Sequence, residues 1–290
     1  MLLILALIAL TMTDRSRDVF AQMGFDFFAS RRWSEAEDLF GALPFMWGTL
    51  YTAIIAVVLA VPVSLGVALF ITEVAPPRIK RPLIYVLDLL AVVPSVVFGL
   101  WGVMVLAGPI RGVYDTIHNA VAWLPLLGDV LGPGAQGRSF MTAGIILAIM
   151  ITPIITSLSR EVLETTPPGE KEAALALGAT RWEMIRASVL PHSKGGLVGA
   201  VMLGLGRAMG ETIAAALVIG SALGQTSINV FSSGNSMPAV IANEWGEASN
   251  LHKSALIALA MTLFFITILI NLAANAIVRR SMRRSRGKQS

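Results

Sequence analysis

Cysteine is absent from the 290 residues, which excludes disulfide frameworks, thiolate metal sites and cysteine nucleophiles. Charge is scarce as well. Only 14% of the residues are Asp, Glu, Lys or Arg, against about 25% in soluble domains, so long stretches of the chain must avoid water. The three histidines, His118, His192 and His252, are scattered without metal-ligand spacing, and no metal site is expected. One glycine-rich stretch, GPGAQGRS at 132–139, has the spacing of a phosphate-cradling loop. It lacks the lysine, which Arg138 replaces, and no strand precedes it, so a nucleotide site is excluded. No internal repeat, low-complexity tract or polar linker divides the chain into soluble domains.

What is present is hydrophobic: 55% of the residues, with a mean hydropathy of +0.73. The apolar runs at 44–72, 83–107, 140–158, 197–222 and 254–278 meet or approach the roughly 20 residues that cross hydrocarbon as a helix. Helices are the expected form, since every backbone group in lipid must bond within the protein. A sixth, shorter run at 2–10 has no basic residue before Asp14. The basic start of a secretory signal is missing, and the run reads as a short or truncated first helix. Pro62, Pro94 and Pro153 fall inside the runs and are expected to bend them. Asp88 lies near one end of the second run, where pairing with Arg81 or Lys80 would anchor it. In the last run, Asn271 and Asn275 share a face suited to bonding between helices.

Basic residues sort by side. With 73–82 placed in the cytoplasm, Arg78, Lys80 and Arg81, a polar stretch at 170–191 and the tail at 279–290 all fall inside, as the positive-inside rule requires. Arg15, Arg17, Arg31 and Arg32 then fall outside, against that preference. The outer loop at 224–253 is long and polar enough to meet an external partner or to act as a lid. The expected domains are 1–43, a short first helix and outer loop; 44–278, a transmembrane domain with a cytoplasmic loop at 159–194; and 279–290, a basic cytoplasmic tail beside anionic lipid.

The polar stretch reads EKEAALALGATRWEMIRASVLP. Pro167 and Pro168 suit the start of a first short helix and Gly178 its end in a left-handed conformation. Thr180 and Glu183 have capping-box spacing for a second short helix, which Pro191 would stop. Ala173, Ala174 and Ala176 give this elbow a smooth face for a partner. About 15 Å into the run that follows lies Arg207, with Glu211 one turn further on. An unpaired charge at that depth costs about 2.5–3.5 kcal/mol on insertion scales, so both must face protein or water. A bridge that merely neutralises itself is one reading. The other is an anion pathway: Arg before Glu is the less favourable helical order, glycines 204, 206 and 210 bare the backbone around the pair, and guanidinium suits phosphate or sulfate. Close helix contact is expected from GxxxG spacing at 195/199 and 206/210.

Glu172-Ala173-Ala174, Gly178 and Leu190-Pro191 together resemble the cytoplasmic coupling loop of ABC importer permeases, with Ser188 where isoleucine is usual. The stretches at 41–50 (GALPFMWGTL), 92–102 (VVPSVVFGLWG), 204–214 (GLGRAMGETIA) and 241–248 (IANEWGEA) narrow the resemblance to PstC-type permease subunits of phosphate-specific ABC importers, over nearly the whole chain after Gly41. The short first helix departs from that pattern.

The resemblance implies an all-α, polytopic bundle of about six transmembrane helices with the type I importer fold, in a bacterial inner membrane. It implies a PstA-type second permease, two PstB-type ATPases docked on the elbows and an extracytoplasmic PstS-type phosphate-binding protein. ATP and Mg would sit on the ATPases, leaving this chain non-catalytic and without a cofactor. Arg207 and Glu211 match the charged pair that the family places in its translocation path. A permease for sulfate or molybdate, and a proton-coupled anion carrier, are the alternatives.

Overall fold

A computed structural model describes residues 2–134 and 136–286. In chain order it holds α1 (Leu2–Arg15), α2 (Arg17–Met23), α3 (Asp26–Ala29), the two-residue antiparallel strands β1 (Trp33–Ser34) and β2 (Leu39–Phe40), and α4 (Leu43–Leu69) with a π-turn Phe70–Val74 at its end. Next come α5 (Pro77–Val92), α6 (Ser95–Trp101), a second π-turn Gly102–Leu106, α7 (Ala107–Val121), α8 (Pro125–Val130) and α9 (Phe140–Glu164). The elbow supplies α10 (Pro168–Ala176), α11 (Arg181–Met184) and a third π-turn Ile185–Val189. After it follow α12 (Leu190–Gly210), α13 (Ile213–Val218), α14 (Met237–Glu244) and α15 (Asn250–Arg286).

Four helical stretches among the described residues are long and apolar enough to cross a membrane: Leu43–Val74, Ser95–Val121, Phe140–Glu164 and Asn250–Ala274. Val58, Val63, Leu269 and Leu272 are exposed along them, a surface that lipid covers without penalty and water does not. The apolar runs at 83–107 and 197–222 are each interrupted. Proline disfavours helical geometry in the residue before it. Val93 is accordingly extended (φ −59, ψ 126), and Pro94 caps α6. The other run stops at Gly210 and resumes at Ile213. Helix α4 passes through Pro62 and α9 through Pro153 without ending. Lys80 bridges to Glu164 at 3.0 Å, so the expected pairing with Asp88 gives way to one across the fold. The side chains of Asn275 and of the basic tail lie outside the described residues.

The chain divides into two compact units. The first comprises Met1–Ala56, Pro94–Leu147 and Ala208–Ile268. One of its cores gathers Val19, Phe27, Phe40 and Phe45 with Met237, Val240, Leu256 and Leu259. Another joins Phe140 and Ile146 to Ala214, Val218 and Ile219. The loop at 224–253 is built into this unit: Ser236 caps α14, Met237, Ala239 and Val240 are fully buried, and Met237 N donates to Thr49 Oγ1 at 2.9 Å. Its apolar register (Met237, Val240) explains why it packs as a helix and not as a free lid.

The second unit comprises Val57–Val93, Ala148–Arg207 and Leu269–Ser290. Its core is Ala68, Leu163, Met184, Ile185, Val189 and Leu197, with Ala174 and Leu190 packed against it. Along α12 the close contacts fall at Gly196 and Gly204, where an added Cβ would lie 2.5 Å from Val162 and 2.6 Å from Ile155 of α9. Ala200, midway between them, is buried. The small-residue seam is thus 196/200/204. At Gly199, Gly206 and Gly210 an added Cβ would meet nothing within 4 Å, so among the described residues the close contacts fall on a different face from the expected 195/199 and 206/210 pairs.

Candidate coupling and translocation residues

The elbow forms as its residues dictate. Pro168 occupies the first turn of α10, where a missing N–H costs nothing, and Glu170 places a carboxylate at the positive end of the helix dipole. At the other end Gly178 takes φ +87. Gly178 N donates to Leu175 O at 3.0 Å and Ala179 N to Ala174 O at 3.2 Å, the paired bonds of a Schellman motif. Thr180 Oγ1 then accepts from Glu183 N at 3.3 Å while Thr180 N donates to Glu183 Oε2 at 2.8 Å, which completes the capping box. These bonds to Thr180, the backbone one foremost, hold the Glu183 carboxyl below its usual range.

Pro191 does not stop the second helix. Leu190 N donates to Ile185 O in the wider π register, and the chain runs on through Pro191 to Gly210. The wide turn loosens the preceding carbonyls just where the proline ring needs space and offers no N–H. The elbow's second arm and α12 are therefore one continuous helical element.

Of the predicted coupling residues, Glu172, Ala173, Gly178 and Pro191 are exposed, while Ala174 and Leu190 turn toward the core. The alanine face is thus divided: Ala173 and Ala176 look outward and Ala174 inward. Sequence reasoning missed Leu177 and Trp182, 89% and 61% exposed on either side of the turn. Two bulky apolar side chains flanking Gly178 within a polar stretch are the signal that was there to read. Ser188 lies in the π-turn with its hydroxyl enclosed and unbonded among the described residues. It faces into the fold and not toward a docking partner.

Side-chain contacts tie α10 down. Lys171 Nζ lies 2.6 Å from Glu73 Oε1, on the π-turn that ends α4, and Glu73 is almost wholly covered. Glu170 Oε1 lies 3.6 Å from His192 Nδ1 on α12. Arg160 and Lys80 share Glu164 nearby in sequence, at 3.7 and 3.0 Å.

Arg207 is exposed in the last turn of α12, where a cation complements the helix dipole. Glu211 is buried, and its Oε1 accepts from Ala214 N at 3.3 Å, capping α13. Because α12 ends at Gly210, the two residues are not one turn apart on one helix. The physical cause lies in the sequence: Gly210 is a poor helix former, and the Glu211 carboxylate gives the next helix a start.

His252, expected to be unremarkable, is buried between two carboxylates. Its Nε2 is 2.8 Å from Glu244 Oε2, which also accepts from Trp33 Nε1, and its Nδ1 is 3.4 Å from Glu35. No group of His, Cys, Asp or Glu among the described residues is arranged to hold a metal ion.

The profile of the family described as binding-protein-dependent transport system inner membrane component matches residues 60–286. The chain belongs to that family. A phosphate transport system permease protein PstC of Xylella fastidiosa is 40% identical to this inner membrane component over 278 residues, 95% of this chain and 85% of the relative. PstC 2 of Mycobacterium bovis is 43% identical over 256 residues, 87% of this chain and 79% of its own. Among solved structures, a bacterial ABC transporter that imports the acidic polysaccharide alginate aligns with TM-score 0.62 at 18% identity, over 93% of this chain and 88% of that one. The inward-facing MetNI methionine ABC transporter gives TM-score 0.60 at 18% identity, covering 86% and 99%. At such identities the likeness is one of fold, and the fold is that of type I ABC importer permeases.

Proposed function

We propose that the chain is a non-catalytic permease subunit of an ATP-driven importer that carries inorganic phosphate across the inner membrane by alternating access. The carrying observation is the elbow: an exposed face bearing Glu172, Ala173, Leu177 and Trp182, whose second arm continues without a break into α12. Identity of 40% to a phosphate permease across 95% of the chain supports the substrate.

In this reading the elbow and the tail at 279–290 face the cytoplasm, and the segment Leu190–Val218 completes about six crossings with α1 and the four apolar helices. An ATPase docks on each elbow of this chain and of a PstA-type partner, ATP and Mg being bound there. A PstS-type protein delivers phosphate from outside. Closure of the ATPases moves the elbow, and with it α12, whose last turn presents Arg207 to the oxyanion. Glu211 fixes the start of α13.

Reconstitution in vesicles with the three partners tests the reading. Phosphate should accumulate only with ATP and binding protein present. Accumulation of sulfate or molybdate in its place would overturn the substrate, and uptake by this chain alone, driven by a pH gradient, would overturn the ATP-driven mechanism.

A further inference from the structure

Successive residues of α10 reach in different directions. Glu170 turns to His192 on α12, Lys171 to Glu73 at the end of α4, Glu172 to solvent, and Ala174 into the core beside Ala68 of α4. The Lys171 contact is the tightest of these, at 2.6 Å, and its acceptor side chain is only 7% exposed. Exposed pairs contribute little, but a covered pair that loses one partner leaves an uncompensated charge, so its two ends are held together. The carboxylate also sits on the π-turn Phe70–Val74 that ends α4, and such turns are frequent at functional sites.

We propose that the Lys171–Glu73 pair is a second drive strut: it carries displacement of α10 into α4, in parallel with the covalent route through α11 into α12. Both are positioning residues, and the inference rests on the reading of α10 as the ATPase-coupled helix. One docked partner thereby moves two membrane helices through one rigid piece nine residues long.

The test uses the full complex in vesicles, with phosphate accumulated per ATP hydrolysed as the first readout and stimulation of ATP hydrolysis by the binding protein as the second. Lys171→Met and Glu73→Gln should retain the ATPase on purification, since Glu172, Leu177 and Trp182 are untouched. Each should nevertheless lower the phosphate-to-ATP ratio about tenfold or more, because displacement of α10 would no longer be carried into α4. Lys171→Arg should stay near wild type. The exchange Lys171→Glu with Glu73→Lys should recover most of the ratio.

Single variants with a wild-type ratio would overturn the strut. So would single variants that fail to assemble, because the pair would then be structural only. A wild-type complex that moves no phosphate would instead refute the substrate assignment. The strut would then still be judged by the second readout, lost in the single variants and restored by the exchange.

Discussion

Gly204→Ala adds one methyl group to the seam between α12 and α9. Its Cβ would lie 2.6 Å from both Cγ1 and Cδ1 of Ile155, where carbon atoms prefer about 3.5–4.0 Å. A shift of about 1 Å is therefore required. Ile155 is fully buried and stiff at χ1, so the helices must part and loosen the contacts around Ile151 and Gly196. Overpacking of this kind costs about 1–3 kcal/mol. Gly206→Ala is the control: its Cβ meets nothing within 4 Å, and the better helix former should be neutral or stabilising by up to about 1 kcal/mol. Ile155→Ala alone should cost about 2–5 kcal/mol. The double variant with Gly204→Ala should cost less than the sum, because the new methyl occupies part of the vacated space. Denaturant titration of the purified chain in detergent, followed by tryptophan fluorescence, reads all four. The seam is refuted if Gly204→Ala matches wild type, or if the double variant is additive within about 0.5 kcal/mol.

Three further outcomes are expected. Thr180→Ala removes the cap of α11 and should cost about 1 kcal/mol, read as faster amide exchange over 181–189. Because the Glu183 carboxyl is held below its ordinary range, the stability it contributes is present above that range and is lost as pH falls through the lowered value. Glu183→Gln, which cannot titrate, should abolish that acid dependence of exchange. Glu211→Gln keeps an acceptor for Ala214 N and should leave stability near wild type, whereas Glu211→Ala should lose about 1.5–3 kcal/mol. Phosphate uptake that survives Glu211→Gln would show that the charge is dispensable for transport. Leu163→Ala, fully buried beneath the elbow among Met184, Ile185 and Val189, should cost about 2–5 kcal/mol by the same titration.

The sequence was most legible where local chemistry decides structure. The limits of α10 followed from Pro168 and Gly178 and the start of α11 from Thr180 and Glu183, since caps and turns are set by residues within one or two turns. Continuity of the membrane helices was harder to read. An apolar run looks the same whether or not it is broken: Pro94 ended a helix and Pro62 did not, because the outcome depends on what packs beside each. Pro191 misled for a related reason, since a wide turn upstream absorbed its missing N–H. The glycine seam fell at 196/200/204 and not at 195/199 and 206/210 because α12 carries so many glycines that spacing alone selects no face. Burial of Glu211 against Ala214 could not be inferred from a motif that aligned it with Arg207.

The π-turn Ile185–Val189 also sets an angle. In a regular helix each residue turns the chain by about 100°, so an inserted residue would swing the elbow to a different side of α12. A wide turn takes up one surplus residue as a local bulge and leaves the segments on either side in phase. The exposed Trp182 and the buried Leu197 thus keep their respective sides despite the extra residue between them. Deleting one residue within 185–189 should restore an unbroken α-helix with the elbow still aimed as before. Adding one should misdirect it, even though every residue of the proposed docking surface would be unchanged.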